Sequence, residues 1–217
     1  MKRVKSRTQL AVMFLLGLAG WAAVVALMVW PVQSLAPLEL SSEFAACLLF
    51  AIGARLLAFR AFRRVRIALD SAFYIVTVFV CGVVPAAVLV LITLTFDFLI
   101  RFLGGTGLYR LGEASWRRVL VHGLYNGGLP ALVLLSIGAF FGDEWLRTLD
   151  DITLSWFLPT YALTFLVIHY FLTGGTHWLT GTKMEAVGWF IVRVIGAELI
   201  LVPLSLAMVL GYRHQGL

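Results

Sequence analysis

Apolar residues along this chain come in six blocks, separated by short polar or arginine-rich stretches. The blocks run from Gln9 to Trp30, Glu43 to Arg60, Ile67 to Leu103, Val119 to Phe141, Ile152 to Leu172 and Val187 to Tyr212. Five of them are near the roughly 20 residues that a helix needs to cross about 30 Å of hydrocarbon. None alternates apolar and polar positions as a barrel strand does. Backbone in lipid must satisfy its own hydrogen bonds, so the blocks are predicted to be helices.

The third block is too long for one span and is interrupted by "FVCGVVPAAV", residues 79–88. Gly82 permits unusual dihedrals and Pro85 lacks a backbone donor, so both are poor residues for a helix centre. Charge decides between one span and two. Lys2, Arg3, Lys5 and Arg7 precede the first block, and Arg60, Arg63, Arg64 and Arg66 follow the second. Arg101, Arg110, Arg117 and Arg118 lie around the end of the third. Basic loops stay in the cytoplasm, so both ends of the third block belong on the same side. The chain is then expected to enter and return, turning near Gly82–Pro85. Each arm would hold about 16–18 residues, or about 24–27 Å at 1.5 Å per residue. The alternative is one kinked span between Asp70 and Asp97, which would place four arginines in an outer loop. The expected architecture is an all-α, polytopic transmembrane bundle of six to seven helices with a short-helix hairpin. The N-terminus is cytoplasmic, and the acidic loop with Asp143, Glu144, Asp150 and Asp151 is outside.

Composition agrees with this picture. Of 217 residues, 61% are hydrophobic and 13% charged, about half the charge of a soluble domain. A single integral membrane domain over residues 1–217 is expected. The net charge of +6 comes largely from the loop arginines, so it speaks for orientation in the bilayer and not for nucleic acid. Cys47 and Cys81 are far apart in sequence, with neither a disulfide framework nor a metal spacing. The N-terminal run is too long for a signal-peptide core and reads as an uncleaved first span.

No HExxH, GxSxG, Walker A or CxxC pattern occurs, so no enzyme, metal site or cofactor is expected. Chemistry is sought instead in polar residues inside apolar helices, which are expensive in hydrocarbon and so face the bundle interior. Asp97 and Arg101, four apart, are placed to pair on one helix face. Asn126 stands among Gly123, Gly127, Gly128 and Pro130 in a helix built for close approach. Arg193 and Glu198, five apart, point to different faces. Those five residues are the candidate ligand-binding set. Arg55, near a helix end, reads as a snorkelling side chain. His122 and His169 lie at similar depth on different helices, as a bis-His haem site would need, but a lone intramembrane histidine is more often hydrogen-bonded structure, and that is the reading taken.

Two stretches carry a resemblance. "LDSAFYIVTVFVCGVVPAAVLVLI" and "GLYNGGLPALVLLSIGAFF" resemble helices of the membrane-integral N-terminal sensor regions of bacterial signalling proteins. Such regions precede diguanylate cyclase, HD-type phosphodiesterase or histidine kinase domains. The similarity covers roughly residues 67–172, with the usual Gly-Pro pair standing here as Gly82 and Pro85. A similar helix–turn–helix pattern occurs in substrate-binding subunits of energy-coupling-factor vitamin transporters. The resemblance implies a non-catalytic sensory or ligand-binding domain of the bacterial inner membrane, taking a small or lipophilic ligand. Its partners would be the lipid bilayer and a cytoplasmic signalling domain or a second copy of the chain. The alternative is the substrate-binding membrane subunit of a transporter for a vitamin-like solute. By the charge count Leu217 lies outside, so a sensor would continue through one more span.

Overall fold

The computed structural model describes residues 2–30, 41–57, 59–62, 65–67, 70–103, 116–179 and 184–215. Among them the helices are α1 (Lys2–Val29), α2 (Ser42–Leu56), α3 (Asp70–Val80), α4 (Val83–Leu103), α5 (Trp116–Phe141), α6 (Asp143–Thr148), α7 (Asp151–Leu179), α8 (Met184–Leu199) and α9 (Val202–Gln215). Five helical stretches are long and apolar enough to cross a membrane: Thr8–Val29, Val83–Ile100, Leu120–Phe141, Asp151–Thr176 and Ile191–Gln215. Among the described residues the chain departs from all-α in one place. Phe59–Phe62 (β1) and Val65–Ile67 (β2) pair as an antiparallel ribbon between α2 and α3.

The third block is a hairpin. α3 ends where the N–H groups of Cys81 and Gly82 both donate to the Thr77 carbonyl, at 2.8 and 2.9 Å. Gly82 has φ of +109°, and a Cβ there would lie 2.8 Å from the Asp143 carboxylate. Both facts call for glycine. The first N–H of α4, that of Val83, donates to Asp143 Oδ1 at 2.7 Å, so a carboxylate 60 residues away caps this helix. Pro85 does not make the turn. It is the third residue of α4, where an N–H would have no helical partner anyway. The arms are unequal, 11 residues in α3 and 21 in α4, because the break falls three residues before the proline. The last block is also divided: α8 stops at Leu199 and α9 starts at Val202, next to Pro203.

Contacts fix the direction of each helix. Asp143 sits on the start of α4. Arg213, near the end of α9, donates to the carbonyls of Leu149 and Arg147 and pairs with Asp151 at the start of α7. These ends therefore share one side of the bundle, the acidic side. α4 and α5 run antiparallel, since Gly123 meets Phe98, Gly127 meets Leu91 and Gly138 meets Val83. α1 and α5 run parallel, because Gly17 lies against Leu124 and Tyr125 while Gly20 lies against Gly128. The starts of α1, α3 and α5 and the ends of α2 and α4 thus share the opposite side. The segments on that side contain Lys2, Arg3, Lys5, Arg7, Arg60, Arg66, Arg101, Arg117 and Arg118.

Lipid is as apolar as leucine, so burial alone does not hold such helices together; close packing and internal polar contacts do. A Cβ on Gly20 would lie 1.9 Å from the Gly128 carbonyl oxygen, so the two backbones touch. Near the acidic side an aromatic cluster fills the space between α3, α5, α6 and α7: Phe141 meets Phe157 at 4.9 Å and Phe79 meets Tyr161 at 5.5 Å. The outer surface is apolar, with Phe140 82% and Trp156 79% exposed, as expected where the solvent is lipid.

Candidate functional site

The polar residues that the helices bring together centre on Arg55. It is the penultimate residue of α2 and turns inward, not toward a headgroup. Its Nη1 lies 3.3 Å from Asp70 Oδ2, at the start of α3. Its Nε lies 3.2 Å from Asp97 Oδ2 on α4, as an ion pair off the hydrogen-bond axis. Tyr74, one turn along α3, donates its hydroxyl to Asp70 Oδ2 at 2.6 Å. Asp70 and Asp97 side chains are 6% and 10% exposed, against 30% for Arg55. One guanidinium therefore ties three helices. It also proves the hairpin: a continuous helix would hold Asp70 and Asp97, 27 residues apart (97 − 70), about 40 Å from each other. Asp97 is 14 residues beyond Val83 (97 − 83), so the site lies about 21 Å along α4 from the turn. That depth is inside a hydrocarbon layer of about 30 Å.

A second polar group adjoins the first. Tyr170 of α7 donates its hydroxyl to Glu198 of α8, and Glu198 lines the same small gap as Ser71, the neighbour of Asp70. Ser205 of α9, fully buried, donates to the Leu201 carbonyl at 3.1 Å and approaches the Ala72 carbonyl at 3.4 Å. Five helices thus meet around α3 through side chains and backbone groups that hydrocarbon alone could not satisfy.

Between α2, α3 and α9, on the acidic half, lies an open cavity of about 670 Å³. Phe50, Phe73, Val76, Val80 and Met208 form apolar wall, and Ser42, Glu43 and Tyr212 add polar groups. Phe50 and Phe73 stack at 5.7 Å between cavity and ion pairs.

Of the five expected site residues, Asp97 and Glu198 face the interior. Asn126 does not: it is exposed. Gly128, which meets α1, lies two residues or about 200° further round the helix, so Asn126 points the other way. Arg193 is also exposed, with its guanidinium 5.3 Å from the Trp189 ring centroid. An aromatic face offers a cation a partner at the surface, so the bundle interior is not required. Arg193 and Glu198 do face different ways. The side chain of Arg101 lies outside the described residues. His169 stacks on Phe165 at 5.8 Å.

Arg55, Asp70, Tyr74 and Tyr170 are additions to the expected set. The signal that could have found Arg55 is its place as the one basic residue within the second apolar block before the ribbon arginines. Among the described residues no group of three or more His, Cys, Asp or Glu side chains is arranged to hold a metal ion. No family model, curated protein or solved structure matches the chain.

Proposed function

We propose that the chain is a non-catalytic, membrane-integral sensory domain that takes a lipophilic small molecule into the cavity between α2, α3 and α9. The cavity carries this reading. Its volume falls in the range of about 300–1,000 Å³ typical of ligand sites. Its walls belong to α2 and α3, the two helices that Arg55 joins to α4. Glu43 at the start of α2 suits a ligand with a cationic or donor head, and the phenylalanines suit an apolar body. A ligand wedged there moves α3 against α2, and Asp70 at the foot of α3 carries that movement to Arg55. Binding then biases the bundle between two arrangements of its ion pairs by whatever affinity difference the ligand has for them.

In this reading the basic side faces the cytoplasm of a bacterial inner membrane. The helices α1, α2, α3, α4, α5 and α7, with α8–α9 as one, make seven passes, the short α3 embedded among its neighbours. The output would come from a cytoplasmic signalling domain or a second copy. The resemblance of residues 67–172 to bacterial sensor regions supports the same assignment.

Photolabelling tests it. A photoreactive lipophilic amine should label peptides containing 42–50, 73–80 and 207–212, and Glu43→Gln should lower that labelling several-fold relative to an uncharged analogue. Equal labelling of every lipid-facing helix would sink the proposal.

A further inference from the structure

Cys47 and Cys81 are separated by 34 residues (81 − 47), yet the fold sets their thiols against each other. Cys47 lies on the inner face of α2, buried, and lines the cavity. Cys81 closes α3 immediately before Gly82 and is partly exposed. Thr77 and Cys81 stand one turn apart on α3, tied by the Cys81 N–H to the Thr77 carbonyl. Cys47 faces both, with its thiol set against the Cys81 thiol and the Thr77 side chain. Val80, beside Cys81, shares the cavity wall with Cys47. Spacing gave no sign of this pair, because the contact crosses from one helix to another.

We infer that Cys47 and Cys81 form a reversible intramolecular disulfide that joins α2 to the hairpin turn at the wall of the cavity. Both cysteines carry free thiols in the structure. The oxidant is a disulfide in solution, and the chemistry is thiol–disulfide exchange. The Cys81 thiolate, the reachable one, attacks a sulfur of the oxidant and expels one thiolate. The Cys47 thiolate then attacks the Cys81 sulfur of the mixed disulfide and expels the second. The protein pair loses two electrons and two protons; the oxidant gains them and leaves as two thiols. The pair lies on the acidic side, which the charge rule assigns to the outside, where disulfides persist. The inference rests on the thiol contact and not on the identity of any ligand.

The test uses the full chain in detergent, oxidised glutathione, and counting of maleimide-reactive thiols by intact mass. Wild type should lose both reactive thiols, with a mass lower by two hydrogens, and dithiothreitol should restore them. Cys47→Ser should stop at a stable glutathione adduct on Cys81, which has no resolving partner. Cys81→Ser should react far more slowly, since only the buried thiol remains. The inference is overturned if wild type keeps both thiols, retains the glutathione adduct as Cys47→Ser does, or links between chains instead of within one.

Discussion

Replacing Arg55 by methionine keeps an unbranched apolar stem and removes the charge, leaving Asp70 and Asp97 facing each other with side chains only 6% and 10% exposed. At 3.2 and 3.3 Å each ion pair corresponds to about 5 kcal/mol of attraction for an effective dielectric of about 20. Desolvation cancels much of that, and the 30% exposure of Arg55 screens more. The cost of stranding the two carboxylates is larger than the net worth of the pairs, and breaking such a pair from one side typically costs about 3–5 kcal/mol. Arg55 is partly exposed, so Arg55→Met should cost about 3 kcal/mol, a fall in melting temperature of about 6–12 °C for a chain of this size. Adding Asp70→Asn and Asp97→Asn removes both stranded charges and should recover more than half of the loss. The assay is thermal unfolding in detergent, followed by tryptophan fluorescence, for the single, both doubles and the triple variant. An Arg55→Met melting temperature within about 1 °C of wild type, or a triple variant no more stable than the single, would refute the triad as the tie between α2, α3 and α4.

Gly82→Ala meets both a positive φ and the Asp143 carboxylate, so it should cost about 1–3 kcal/mol in thermal unfolding. Gly142→Ala has φ of +84° but open space around it and should cost less; equal losses would mean that the Asp143 contact contributes nothing. Asp150 precedes α7 and accepts from the Ile152 and Thr153 N–H groups at 3.1 and 3.0 Å and from the Thr153 hydroxyl at 2.6 Å. The Thr153 hydroxyl bond, followed by the Thr153 N–H bond, holds its carboxyl below the ordinary 3.8. The capping contribution is therefore fully present above pH 3.8 and is lost as the pH falls through the lower folded value. Asp150→Ala should lower the melting temperature at neutral pH, and the gap to wild type should shrink at about pH 3; a gap independent of pH would contradict this.

The hairpin was legible because two arginine-bearing segments had to reach one side of a membrane, a constraint that holds whatever the turn looks like. Its unequal arms were not legible. Pro85 is a conspicuous breaker, but at the third position of a helix it breaks nothing, and the true stop depends on Asp143, 60 residues away. Asp97 and Glu198 could be read as interior groups because a carboxylate is hard to satisfy at a lipid surface. Arg193 escapes the same rule through Trp189, and Asn126 because its helix presents glycines, not the amide, to its neighbours. Arg55 was assigned to the interface because helix-end arginines usually extend there. Only the shortness of α3, which sets Asp70 directly beside it, turns it inward. The cysteine contact was invisible for a related reason: spacing along the chain describes one helix, whereas the thiols meet between two.

The touching backbones of α1 and α5 constrain how the chain is made. Gly20 and Gly128 are 108 residues apart (128 − 20), which at about 5–20 residues per second puts about 5–20 s of synthesis between the two halves of that contact. Only 22% of the first span is buried in the finished bundle, and α5 supplies its main contacts. During that interval the first helix has only lipid, α2 and the hairpin beside it, and the groove that fits its glycines does not yet exist. Bundle closure is therefore a late event in biogenesis. A nascent chain halted before residue 116 would present the glycine stripe of α1 to whatever other small-residue helix the membrane contains.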